Sequence, residues 1–288
     1  MYYAALFVLG CVFFPGLFYL FQKWVKHLTD GTDGGNVITS TVAVKAVSAV
    51  QAVFAVSCGL IIATHCKDDL IYERHWLTNS YATFGLPYMI YDVYAMFVMH
   101  CAKKPHLQTA ALSSAIKDYC WNNLAIVVHH LAIAIIAYPL VMFLRNGKGD
   151  FFIGCFYSVE MATPFLHLRA ILTLIGWKKS KLYLINGVLI IVTFFCCRLL
   201  VFPFIYYMYG RSKGLTLWEV PQNIPIQCNV GCFILFAFQV YWYFLILRTA
   251  FRTVRRQSSA VENGPVVSVG DAPGYQQQYC TKIITKHD

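Results

Sequence analysis

Charge is what this sequence has least of. Of its 288 residues only 12% are charged, and Asp and Glu together number 13, against a hydrophobic share of 58%. A soluble fold of this length could not hide so much apolar surface, which excludes a soluble enzyme or binding module and leaves a multi-pass membrane protein. Other absences narrow the class further. No Asn-X-Ser/Thr acceptor with an allowed middle residue occurs, no internal repeat is visible, and the C-terminal stretch offers neither a dilysine pattern nor a prenylation box. The last apolar run has no lysine for a retinal Schiff base, and the Asp/Glu-Arg-Tyr and Asn-Pro-X-X-Tyr signatures of receptors are missing. Only one His-His pair occurs, too few ligands for a di-iron lipid hydroxylase, so no metal is expected.

What is present is apolar sequence interrupted by short basic clusters. The formal charge of +10 is spread between the runs rather than gathered on one face, which points to anionic lipid headgroups and away from nucleic acid. Of the 11 cysteines, Cys11, Cys58, Cys155, Cys196, Cys197 and Cys232 fall inside apolar segments and read as small buried hydrophobes.

The expected architecture is an all-α bundle of seven transmembrane spans, at about 1–24, 42–64, 80–101, 121–144, 151–175, 183–209 and 226–248. The linker from His27 to Val37 reads as a loop. Three regions follow: a first span with its loop at 1–38, a helical domain at 39–256 and an unstructured tail at 257–288. Lys and Arg concentrate after spans one, three and five and in the tail, as at Lys103, Lys104, Lys178, Lys179 and Arg252. The positive-inside rule then puts the N-terminus in the lumen and the C-terminus in the cytosol.

Within this frame the run 121–144, WNNLAIVVHHLAIAIIAYPLVMFL, holds adjacent histidines His129 and His130. Counted from the cytosolic ends, Gln51, Asp92, His129, His130, His167 and Gln239 come to one level, roughly 12–15 Å deep, with Thr193 near it. Lipid offers such groups no hydrogen bond, so ionisable residues meeting there mark a functional site. Packing alone accounts for Gln51, Gln239 and Thr193. A second level holds Glu160 and Arg198, which are expected to pair. Pro164, between Glu160 and His167, is expected to bend its helix. His65, His75, His100 and His106 fall at loops or span ends, and Lys45 is expected to snorkel to the surface.

The His129-His130 pair, YMIYDVYAM at 88–96, EMATPFLHLR at 160–169 and CCRLLVFP at 196–203 together resemble the TLC-domain membrane proteins, whose best known members are the ceramide synthases. GKGDFFIGC at 147–155 is similar to the TLC domain-containing protein 3 subfamily. The resemblance covers about residues 1–256, with the domain itself starting near residue 40. It implies a lipid-handling protein of the endoplasmic reticulum or Golgi membrane, and an acyl-CoA-dependent N-acyltransferase reaction on a sphingoid base. No bound cofactor is expected; acyl-CoA is a co-substrate, membrane lipids are partners, and pairing with a second copy or a related membrane protein is left open. The expected catalytic residues are His129, His130, Asp92 and His167. A neutral imidazole of the pair, oriented by Asp92, would take the amine proton, or one histidine would hold the acyl group. Asn123, Glu160, Arg198 and Arg169 are expected to bind substrate, Asn123 as an oxyanion donor and Arg169 beside the polyanionic CoA. The competing expectation is a non-catalytic protein that binds or transports lipid, or senses membrane composition, through the same polar layer.

Overall fold

A computed structural model describes residues 1–29 and 35–262, and every regular element in them is helical. The chain divides into two compact units, Met1–Ser158 and Val159–Asp288. In the first unit, α1 (Tyr2–Thr29), α2 (Gly35–His65) and α3 (Trp76–Lys103) pack on one another, and a short α4 (Pro105–Gln108) leads to α5 (Leu112–Ala132). Two π-helical turns, Ile133–Ala137 and Leu140–Leu144, continue α5, and α6 (Asp150–Ser158) returns along α2. The second unit holds a 3-10 turn (Val159–Ala162), α7 (Thr163–Leu174), α8 (Lys181–Phe194), a π-turn (Phe195–Leu199), α9 (Val201–Lys213), α10 (Val220–Asn223) and α11 (Ile226–Glu262).

Among the described residues six helical segments are long and apolar enough to cross a membrane: Tyr2–His27, Val37–His65, Leu112–Leu144, Asp150–Leu174, Lys181–Lys213 and Ile226–Thr253. The seventh expected span, 80–101, does form a 28-residue helix, α3, but is not among these six. It buries Thr78, Ser80, Thr83 and Asp92 among its neighbours, and a helix lined by protein need not be apolar. Three other expectations shift. The loop expected from His27 shrinks, since α1 runs to Thr29 and α2 begins at Gly35, leaving 30–34 outside the described residues. Span four starts at Leu112, so Lys117 and Asp118 lie in a helix and not in a loop. The last helix continues to Glu262, six residues into the stretch expected as a tail; 263–288 lie outside the described residues.

Prolines explain three of the irregular turns. Each of Pro139, Pro164 and Pro203 lacks the N–H that would bond the carbonyl four residues earlier, at Ile135, Glu160 and Leu199. Those carbonyls fall in the π-turn 133–137, the 3-10 turn 159–162 and the π-turn 195–199. The bend expected at Pro164 takes this form.

Glycine brings α2 and α6 together. A Cβ on Gly59 would lie 2.5 Å from the Gly154 carbonyl oxygen, and one on Gly154 would lie 2.9 Å from the Ala63 nitrogen. Small residues at such a crossing let backbones touch where no hydrophobic force separates helix from lipid.

A polar knot fastens the loops at the start of α3 and α6. Asp150, 2% exposed, accepts the His75 backbone N–H at 2.8 Å and the Thr78 hydroxyl at 2.9 Å, and pairs with Arg145. Arg145 also donates to Asn79 Oδ1 (2.6 Å), the Val141 carbonyl (2.7 Å) and the Lys148 carbonyl (2.9 Å). Each charge is thus matched several times over, the condition under which a buried ion pair holds.

Candidate functional site

The seam between α3 and α5 brings Asp92 and His130 together. His130 Nε2 lies 3.1 Å from Asp92 Oδ2, with both side chains about nine-tenths buried (11% and 7% exposed). Behind the carboxylate, Ser48 of α2 donates to Asp92 Oδ1 at 3.2 Å and itself accepts the Tyr88 hydroxyl at 2.8 Å. On the other side of the ring, His130 Nδ1 donates to the Ile126 carbonyl at 2.9 Å. A carbonyl only accepts, so Nδ1 carries a hydrogen, and one further proton bridges Nε2 and the carboxylate. Imidazolium with carboxylate and imidazole with carboxylic acid are two forms of that neutral pair. In either form both ring nitrogens of His130 face oxygen acceptors. His129, partly buried, sets its ring edge-on to that of His130 with centroids 5.6 Å apart. Lys45 of α2, expected to snorkel away, is instead partly buried within electrostatic reach of Asp92.

Asn123 joins a different group. Its backbone (φ −128°, ψ 22°) interrupts α5, and its amide donates to the Tyr119 carbonyl at 3.1 Å and faces His100 Nδ1 at 3.3 Å. His100 Nε2 lies 2.6 Å from Asp118 Oδ2, and Lys104 Nζ meets the same oxygen at 2.6 Å. The expected oxyanion donor is thus engaged with His100, about two helical turns from His130. The ring of Tyr119 packs against His100 and Phe97, and its hydroxyl donates to the Val93 carbonyl at 3.2 Å.

In the second unit the expected contact between Glu160 and Arg198 forms at 3.2 Å. Thr163 completes it, donating to Glu160 at 2.5 Å and accepting from Arg198 at 2.8 Å, while Arg198 Nε donates to the Val159 carbonyl at 2.9 Å. Every member lies in or beside a proline-loosened turn, where the helix gives up backbone bonds that side chains replace. Arg169 rests over the Tyr183 ring, 4.1 Å from its centroid. His167 lies partly buried on α7 in this second unit, whereas Asp92, His129 and His130 belong to the first. Gln239 is buried with its Oε1 lacking a hydrogen-bond partner, Gln51 donates to the Tyr81 hydroxyl at 2.9 Å, and Thr193 bonds its own helix at Leu189. No group of three or more His, Cys, Asp or Glu among the described residues is arranged to hold a metal ion.

The sequence gives Ser48, Tyr88 and Asp118 no part in the site and places Lys45 at the surface and His100 at a span end. Ser48 and Lys45 are three apart on one helical face, and His100 and Lys104 four apart, so spacing alone carried a signal. A serine in an apolar run usually bonds its own helix and a histidine at a span end usually meets water, so neither spacing by itself singles out a site.

The family model described as TLC domain matches residues 41–248. Among curated proteins the chain is similar to TLC domain-containing protein 4-A of Xenopus laevis, 28% identical over 134 residues, which covers 45% of this chain and 50% of that protein. Similarity to TLC domain-containing protein 4 of Homo sapiens is 26% over 148 residues, 48% of this chain and 54% of that one. With TLC domain-containing protein 4-B of Xenopus laevis it is 26% over 204 residues, 67% and 68%. The chain thus spans about half the length of the first curated relatives it matches. No solved structure matches it.

Proposed function

The chain belongs to the TLC-domain family, and from that premise we propose that it handles membrane lipids at the Asp92–His130 seam, by transferring an acyl group from acyl-CoA to the amine of a sphingoid base. The observation that carries the reading is a buried His–Asp pair held where α3 packs against the apolar helix α5, with Ser48 and Tyr88 supporting the carboxylate. In the reaction the amine nitrogen attacks the thioester carbonyl, the C–N bond forms as the C–S bond breaks, and CoA leaves as a thiolate that takes up a proton. The base is a neutral imidazole of the His129–His130 pair, whose rings meet edge-on. The Asp92–His130 pair is net neutral and can move its shared proton toward either partner, which steadies the polarity beside His129 as charge develops. The same reading puts the protein in the endoplasmic reticulum or Golgi membrane, with a lumenal N-terminus and a cytosolic C-terminus.

The closed ring of His130 favours a second reading, in which the seam holds a lipid headgroup without turnover and the protein transports lipid or reports on membrane composition. Purified full-length protein in nanodiscs, given acyl-CoA and sphinganine, separates the two by mass spectrometry of the N-acyl product. Product formation that is lost in His129→Ala supports transfer. Sphinganine binding by a wild-type protein that forms no product supports the lipid-binding reading and removes the enzyme.

A further inference from the structure

The seam between α3 and α5 carries two His–Asp contacts with the donors reversed: α3 supplies Asp92 to His130, and α5 supplies Asp118 to His100. Between them lies Asn123, the one residue inside α5 with non-helical backbone angles. Its amide nitrogen has two hydrogens, one directed to the Tyr119 carbonyl and one to His100 Nδ1. His100 Nδ1 therefore accepts, its Nε2 carries the hydrogen given to Asp118, and the ring is neutral in this arrangement.

We propose that protonation of His100 shifts the bend at Asn123 and thereby adjusts the placement of His130 against Asp92, a proton-linked regulation of the lipid site that rests on the function proposed above. A proton on His100 Nδ1 would face the Asn123 amide hydrogens, donor against donor. Rotating the amide to present its oxygen relieves that clash but sets an acceptor against the Tyr119 carbonyl. The backbone at Asn123 is where the helix already departs from regular bonding, so it is where the conflict is relieved. His100 faces Asp118, Asn123 and Tyr119 on α5 and shares Asp118 with Lys104 at the end of its own helix. On α2, Lys45 is within electrostatic reach of Asp92 and Lys103. His106 on α4 is exposed, α6 commits its Asp150 to the knot at the opposite end of α3, and α1 meets α3 through the ring contacts of Phe14 with Tyr88 and Phe18 with Tyr91.

The test is hydrogen–deuterium exchange of the full-length protein in nanodiscs from pH 5.5 to 8, corrected for intrinsic exchange. Protection of the peptide covering 119–130 is expected to change by about fivefold or more in the wild type, the lower end of coupling between sites, and to stay flat in His100→Gln. Asn123→Asp, whose carboxylate accepts from the protonated ring, is expected to carry the transition to higher pH. Nitrogen-15 histidine resonances of the wild type give a readout that needs no variant to fold: an Nε2–H tautomer for His100 at pH 8 supports the proposal, and an Nδ1–H tautomer overturns it. Equal pH dependence in wild type and His100→Gln also overturns it. These readouts need no turnover, so a protein inactive toward acyl-CoA that still shows the transition loses only the proposed reaction.

Discussion

Two buried aspartates of the first unit, Asp150 and Asp92, lie in similar depths of protein and are held in opposite ways. Asp150 meets a guanidinium, a hydroxyl and a backbone N–H, none of which gives up its hydrogen near neutral pH. Asp92 meets an imidazole and a hydroxyl, and imidazole is a side chain type able to exchange a proton. The first arrangement surrounds the carboxylate with donors and serves the fold. The second sets an imidazole beside the carboxylate, the partner type that proton transfer uses. Burial alone does not tell a structural acid from a reactive one; the exchangeability of its partner's proton does.

The contrast predicts unequal costs of substitution. Asp150→Ala strands Arg145 and frees the His75 N–H and the Thr78 hydroxyl; it is expected to cost about 3–5 kcal/mol, seen as loss of monodisperse protein and a collapsed thermal transition. Arg198→Ala removes the centre of the Glu160–Thr163 group, with Glu160 one-quarter exposed, and an expected cost of about 2–3 kcal/mol in the same melt. Asp92→Asn keeps the shape and a hydrogen-bonding side chain beside His130 and Ser48, so its cost is expected at about 1–2 kcal/mol. A melt in which Asp92→Asn fails as badly as Asp150→Ala would make Asp92 a structural acid as well.

The smallest effect lies at the rim of the knot. His75 caps α3 by accepting the Leu77 N–H at 3.3 Å, which only a neutral ring can do. Burial first, and the neighbouring His65 second, lower its pKa below the usual histidine value. A lowered histidine pKa contributes stability that is present above the unfolded value and lost as pH falls through the folded one. The wild-type melting temperature should therefore fall slightly on acidification, and His75→Gln should flatten that part of the profile. An unchanged profile would remove His75 from the account.

Much of this was legible in the residues. Composition named the membrane, helical runs named most of the spans, and depth counting paired Glu160 with Arg198 and brought Asp92 level with the double histidine. Depth counting cannot see rotation about a helix, and that is where it failed. Asn123 shares the period of His130 yet breaks the helix and turns to His100. The π-turns also change the angular register along 133–144, so residues beyond Pro139 no longer follow a simple 100° step. The knot at Arg145 and Asp150 went unread because both residues lie at a loop, where charge is expected to be solvated. Only the tertiary fold shows that His75, Thr78 and Asn79 converge there.

The central claim, that Asp92 serves chemistry and Asp150 serves the fold, is tested most directly by the rate of N-acyl product formation per folded molecule for Asp92→Asn and Asp150→Asn side by side. The account predicts a loss of about 10²-fold or more in Asp92→Asn, with Asp150→Asn near the wild-type rate for whatever fraction folds. Equal rates in the two variants, or a wild type with no rate to lose, would contradict it.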